Sequence, residues 1–123
     1  MGYTETLGIT AEIQAERARQ DIKWGEQNHR SGTGEQVPFL PGRLVPHPAG
    51  SHVLTTMGTL AYLSREACQA ANEEGGDTYA KIMLEEVFEA MAEDDEQRVR
   101  AELIQCAAVA VAWVEAIDRR AGA

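Results

Sequence analysis

Residues 84–105 read LEEVFEAMAEDDEQRVRAELIQ, and the parsing of this stretch decides the fold. Val87, Ala90 and Met91 extend an apolar stripe begun by Tyr79 and Met83, the three-and-four spacing of one helix face. The acidic break EDDEQ interrupts it, and Asp94 or Asp95 is suited to cap a new helix. A connection this short makes the two helices antiparallel neighbours. Glu86 and Glu89, three apart, then project from one side of the first helix, Glu86 between Ile82 and Ala90 at the edge of the apolar sector. Glu102 shares a side of the second helix with Cys106, Val109 and Trp113, and Gln105 follows one turn on.

Outward from this pair, the remaining segments also read as helix. Thr4 to about Ile22 carries Leu7, Ile9, Ile13 and Ala18 among charged positions, with Thr10 an alternative N-cap beyond Gly8. Ser51 is suited to cap a second helix that runs to about Glu74 and ends at Gly75-Gly76. Asp77 is expected to cap the third. The fourth runs to about Arg119, its acidic start and its Arg119-Arg120 end both complementing the helix dipole. No segment alternates as a strand does. The expected fold is all-α, an antiparallel bundle of three to four helices in one domain, 1–123.

Between the first and second helices, residues 24–51 hold all four prolines and five of the eleven glycines. Such composition breaks regular elements, so a Pro/Gly-rich loop at about 25–50 is expected, a lid or a disordered segment. The run 103–114, LIQCAAVAVAWV, is apolar on nearly every side, the mark of a helix surrounded by protein. Three short partners do not cover it, so the bundle is expected to be completed by oligomerisation, as a homodimer or homotetramer.

A net charge of −9 and a pI of about 4.7 argue against a nucleic-acid polymer or an anionic membrane as partner. No basic region followed by an apolar run opens the chain, and the 103–114 run is too short to span a bilayer. Cys68 and Cys106 lack CxxC or His spacing and read as two buried, reduced thiols, which points to a cytoplasmic location.

Three carboxylates in a partly desolvated cleft repel each other and lose hydration, which a divalent cation relieves. Oxygen ligands without His or Cys suit Mg²⁺, with Mn²⁺ as the alternative. A di-iron bundle site is excluded because neither helix carries ExxH. Glu85, Glu93, Asp94 and Glu96 read as solvated. Outside the acidic motif, Lys23 and Trp24 stand where the first helix meets the loop, suited to a phosphate and a base; Asn28 and His29 have polar edges for a base or sugar; Arg65 has the charge and reach for a phosphate.

The motif Glu85-Glu86-Val87-Phe88-Glu89, with Glu102-Leu103-Ile104-Gln105 on the next helix, resembles the EExxE and ExxD pair of the MazG-like all-α nucleoside triphosphate pyrophosphohydrolases. The segments ERARQDIKWGEQNH, LEEVFEAMAE and AELIQCAAVAVAWVEAI are similar to a bacterial and phage branch of that family. The likeness spans most of the chain outside the Pro/Gly-rich middle. It implies Mg²⁺-dependent cleavage of a nucleoside triphosphate between the α- and β-phosphates, with Glu86, Glu89 and Glu102 as metal ligands and Glu85 orienting the attacking water. Gln105 stands where the family has an Asp ligand; its amide oxygen can still coordinate but brings no charge and cannot act as a base. Two alternatives follow from that substitution and from the acids themselves. One is a metal-nucleotide binding protein without turnover; the other is a purely structural helical oligomer.

Overall fold

A three-and-four apolar period favours helix where no proline interrupts it, and four segments of this chain carry such a period. A computed structural model describes residues 3–39, 45–46, 52–53, 55–74 and 76–122. The fold is all-α. Its helices are α1, Tyr3–Trp24; α2, Met57–Glu73; α3, Tyr79–Ala92; and α4, Glu96–Gly122. Between α1 and α2, two short strands, β1 (Val45–Pro46) and β2 (His52–Val53), pair antiparallel, Val45 opposite Val53.

The helix starts follow local hydrogen bonding more closely than composition suggests. α1 begins before Thr10, whose hydroxyl merely donates back to Leu7 O (3.0 Å), so Thr10 is not a cap. Ser51 lies outside the described residues, and α2 starts six residues after it: Thr56 Oγ1 accepts from Thr59 N (3.2 Å) and fills the N-cap role. At α3 the cap is Thr78 rather than Asp77, with Thr78 Oγ1 accepting from Lys81 N (3.2 Å). Asp77 instead braces the cap, its Oδ1 accepting from Thr78 N (2.8 Å). Asp95 caps α4 as expected, its Oδ2 accepting from Arg98 N (3.0 Å).

The chain divides into two compact units, one gathering residues up to Arg30 with those from Ala107 onward, the other formed by Ser31–Cys106. In the first, Ile9 and Ala116 are buried, and Thr6 donates to Glu115 Oε2 (2.7 Å), which satisfies a buried carboxylate. In the second, Ala61, Cys68 and Ala71 form the buried stripe of α2 at spacings of seven and three. These small side chains let α3 approach closely enough for Cys68 Sγ to donate to Lys81 O (3.2 Å). Ala90 on α3 is fully buried and Val99 on α4 nearly so.

Part of the Pro/Gly-rich segment is tied down. Gly34 N donates to Met91 O (2.9 Å) at the end of α3; Phe39 N donates to Thr55 O (2.8 Å), Met57 N to Val37 O (2.8 Å) and Gly58 N to Glu35 O (3.0 Å). Phe39 also meets Phe88 edge-on, ring centroids 6.0 Å apart. Residues 34–39 therefore run along the start of α2 and reach the end of α3. Two glycines make this possible. Gly34 has φ +152°, and a Cβ there would stand 2.8 Å from Asp94 Oδ1; at Gly58 a Cβ would collide with the Glu35 side chain and lie 2.8 Å from its carbonyl oxygen.

Candidate metal centre

Glu86 and Glu89 sit one turn apart on α3, and the three-residue link Glu93–Asp95 returns the chain so that Glu102 of α4 comes level with them. One carboxylate oxygen from each of the three lies within 4.8 Å of the other two, and all three side chains are half-buried. Burial pushes the Glu86 carboxyl above its ordinary range, and the charges of Glu89, Glu102 and Glu85 push it further. Glu89 is raised by burial and by Glu85 and Glu102, against the opposing pull of Arg65. Negative charge has been concentrated here without an equal positive charge.

Among the described residues, two of the oxygens have no hydrogen-bond partner: Glu86 Oε2 and Glu102 Oε2 are both buried and unsatisfied. A buried carboxylate oxygen without a donor costs about 1–3 kcal/mol or more, a cost that a bound cation would offset. The donor set is all oxygen, and a spread of 4.8 Å is within what a divalent cation with oxygen ligands at about 2.0–2.6 Å draws together. The residues present fit such an ion.

Beside the cluster lies a cavity of about 530 Å³, a volume suited to a small molecule. Glu89 and Glu102 line it, as do Arg65 from α2 and Arg98 from α4. Arg65 Nε approaches Glu89 Oε1 at 3.4 Å. Tyr62, one turn before Arg65, exposes its ring on the same wall. In all, five acidic residues and two arginines line this space, so an anion would be repelled unless a cation came with it.

No protein-family model, curated protein or solved structure matches the chain.

The expected site residues are thus distributed in four places. Glu86, Glu89, Glu102 and Arg65 come together. Glu85 is half-buried and sits beside the Cys68 thiol, which burial and that carboxylate push up to about 12. Gln105 is exposed, whereas Cys106, the next residue, is half-buried, and its thiol is raised by burial and by the charges of Glu86 and Glu102. Cys106 is therefore less buried than its sequence setting suggests. Lys23, Trp24 and His29 belong to the other compact unit. There Lys23 Nζ lies 4.9 Å from the centre of the half-exposed Trp24 ring, and Trp24 and His29 line a separate cavity with Arg17, which is held by Gln20 (2.7 Å) and Asp21 (2.9 Å).

Sequence reasoning missed Tyr62 and Arg98. Both were within reach of a simple rule. Tyr62 precedes Arg65 by three and Arg98 precedes Glu102 by four, so each shares a helix face with a residue already singled out.

Proposed function

We propose that the chain is a divalent-cation-dependent nucleoside triphosphate pyrophosphohydrolase of the MazG-like kind, which releases a nucleoside monophosphate and pyrophosphate. The observation that carries this reading is the pair of buried, unpartnered oxygens on Glu86 and Glu102, converging with Glu89 at the wall of a cavity that two arginines also line. Glu86, Glu89 and Glu102 would hold the ion, with Gln105 available one turn beyond Glu102. Mg²⁺ or Mn²⁺ held there would supply positive charge to screen the triphosphate and would make a nearby water more acidic. Arg65 and Arg98 supply charge-assisted donors for phosphate oxygens. Tyr62 offers a ring face for the base. Glu85, outside the three-ligand cluster, is the carboxylate assigned to orient the attacking water.

The test is pyrophosphate release from a panel of ribo- and deoxynucleoside triphosphates in Mg²⁺. At least one substrate should yield pyrophosphate and monophosphate in equal amounts, and Glu89→Gln should lower the rate by at least about a hundredfold, the scale of a lost transition-state charge contact. No release at enzyme concentrations near those of substrate refutes the enzymatic reading. A second reading, binding without turnover, is favoured by Gln105, whose amide has neither charge nor basicity. It requires calorimetric binding of the Mg-nucleotide with no pyrophosphate formed, and turnover gained on Gln105→Asp.

The same reading includes self-association. No large side chain is fully buried among the described residues, while Leu103, Ile104, Val114 and Ile117 of α4 are 41–58 % exposed. Apolar exposure on this scale along one helix is covered economically by a second copy. Sedimentation equilibrium should give a multiple of 13.4 kDa, reduced toward the single chain by Ile104→Lys; a chain that is monomeric at all concentrations overturns the assignment. Among the described residues no helix is long and apolar enough to cross a membrane.

A further inference from the structure

Arg65 reaches from α2 to α3, where its Nε meets Glu89 Oε1 at 3.4 Å while nearly half the side chain stays exposed at the cavity wall. This is a weak tether. Charge-assisted hydrogen bonds of this type ordinarily run at about 2.7–2.9 Å, and a guanidinium can offer a carboxylate two parallel donors rather than one. Glu89, less exposed than Arg65, also contributes an oxygen to the three-glutamate cluster. Two demands therefore fall on one carboxylate, and among the described residues the buried side-chain oxygens that lack a partner belong to the cluster. Arg98, on the same cavity wall, has no ion pair among the described residues. Among the described residues the site thus pairs one of its two arginines with a carboxylate and leaves the other without an ion pair.

We propose that Arg65 is an anion-positioning residue that Glu89 restrains until a divalent cation occupies the glutamate cluster. The cation satisfies Glu89, the guanidinium is released, and it turns to a phosphate group of the ligand beside Arg98. The inference rests on the cluster being a metal site, as read above, and adds a rule of order to it: metal first, polyphosphate second. Electrostatics favours that order. A metal-free site meets an incoming triphosphate with Arg98 against five carboxylates; a loaded site meets it with the ion and two free guanidinium groups.

Arg65→Gln tests this through binding alone. Mn²⁺ is titrated calorimetrically into the wild-type and variant proteins; then inorganic pyrophosphate is titrated once in saturating Mg²⁺ and once in EDTA, followed by ³¹P resonance. Removing the competitor for Glu89 should tighten Mn²⁺ binding by about two- to fivefold, the scale of a surface ion pair. In Mg²⁺ the variant should bind pyrophosphate at least about tenfold more weakly, the scale of a lost charge-assisted contact. In EDTA the two proteins should be alike, because the tethered arginine contributes nothing there. Weaker Mn²⁺ binding by the variant would overturn the proposal, since Arg65 would then be supporting the cluster. An equal loss of pyrophosphate affinity in EDTA and in Mg²⁺ would also overturn it, since Arg65 would be free from the start. If wild type takes up no Mn²⁺, the metal reading itself falls, and this inference with it. If wild type takes up Mn²⁺ and the variant matches it in every titration, only the role given to Arg65 falls.

Discussion

Replacing Glu86 by Gln should stabilise the metal-free protein and destabilise the metal-loaded one, so that two melting curves exchange order. The first effect can be sized from geometry. Charges within 4.8 Å of each other repel by about 1 kcal/mol in water-like surroundings and by about 3.5 kcal/mol at an effective dielectric constant near 20. Glu86 has two such neighbours, Glu89 and Glu102, whose charges, together with burial, raise its pKa. The amide also brings two donors to a place where Glu102 Oε2 has none. A net gain of about 1 kcal/mol is expected in EDTA near neutral pH, which for a chain of this size raises Tm by about 4 °C. The second effect follows from linkage: an ion at a hundred times its Kd stabilises wild type by about 2.7 kcal/mol, and most of that should vanish with the ligand. Differential scanning fluorimetry at matched pH, with EDTA or with Mg²⁺, reads both. A variant that melts lower in EDTA would mean the Glu86 carboxylate has a stabilising partner, and a Mg²⁺ shift of undiminished size would mean Glu86 is not a ligand; either result breaks the reasoning.

Three further outcomes are expected. Glu86 and Glu89 have folded pKa values above the ordinary 4.5, so the folded state holds more protons than the unfolded one; their contribution to stability is complete below about pH 4.5 and is lost as pH rises through the raised values. Chemical denaturation in EDTA should therefore show wild type falling more steeply than Glu86→Gln between pH 4.5 and 7.5, and parallel curves would refute it. The Cys68 thiol, buried and raised to about 12, should resist a disulfide reagent at pH 8 until denaturant is added; native-state modification of Cys68, mapped by mass spectrometry, would contradict its setting. Thr78→Ala should lower stability by about 1 kcal/mol, and Asp77→Ala by less, because Thr78 closes the first turn of α3 while Asp77 only braces it; the reverse ranking in urea would return the cap to Asp77.

The paired-helix core of the candidate site was legible because its determinants are local. The apolar period of 79–91, the acidic break and the capping Asp95 are encoded within a few residues of where they act, and the level of Glu102 against Glu86 and Glu89 follows from the short link. Ser51 and Asp77 misled for a different reason. Each is a good capping residue by composition, but the choice among neighbouring hydroxyls and carboxylates is made by which oxygen reaches the third amide onward, and Thr78 does so where Asp77 does not. Arg65 was recognised by its charge, yet its tie to Glu89 depends on the packing of α2 against α3, which the small stripe Ala61, Cys68 and Ala71 permits and no local pattern announces. The pairing of 34–39 with 55–58 was hidden by the prolines and glycines between them, residues whose composition signals only that helix is absent.

Gly34 and Gly58 give that pairing a consequence for how the molecule can be altered. Glu35 stands on the cavity wall because main chain touches main chain on either side of it, with the space for any side chain at 34 or 58 already taken by Asp94 and by Glu35 itself. Exchanging the Glu35 head group would therefore repaint the rim without moving it. Adding even a methyl at the two flanking clasps would pry the rim loose, so redesign there can recolour the entrance but has little room to reshape it.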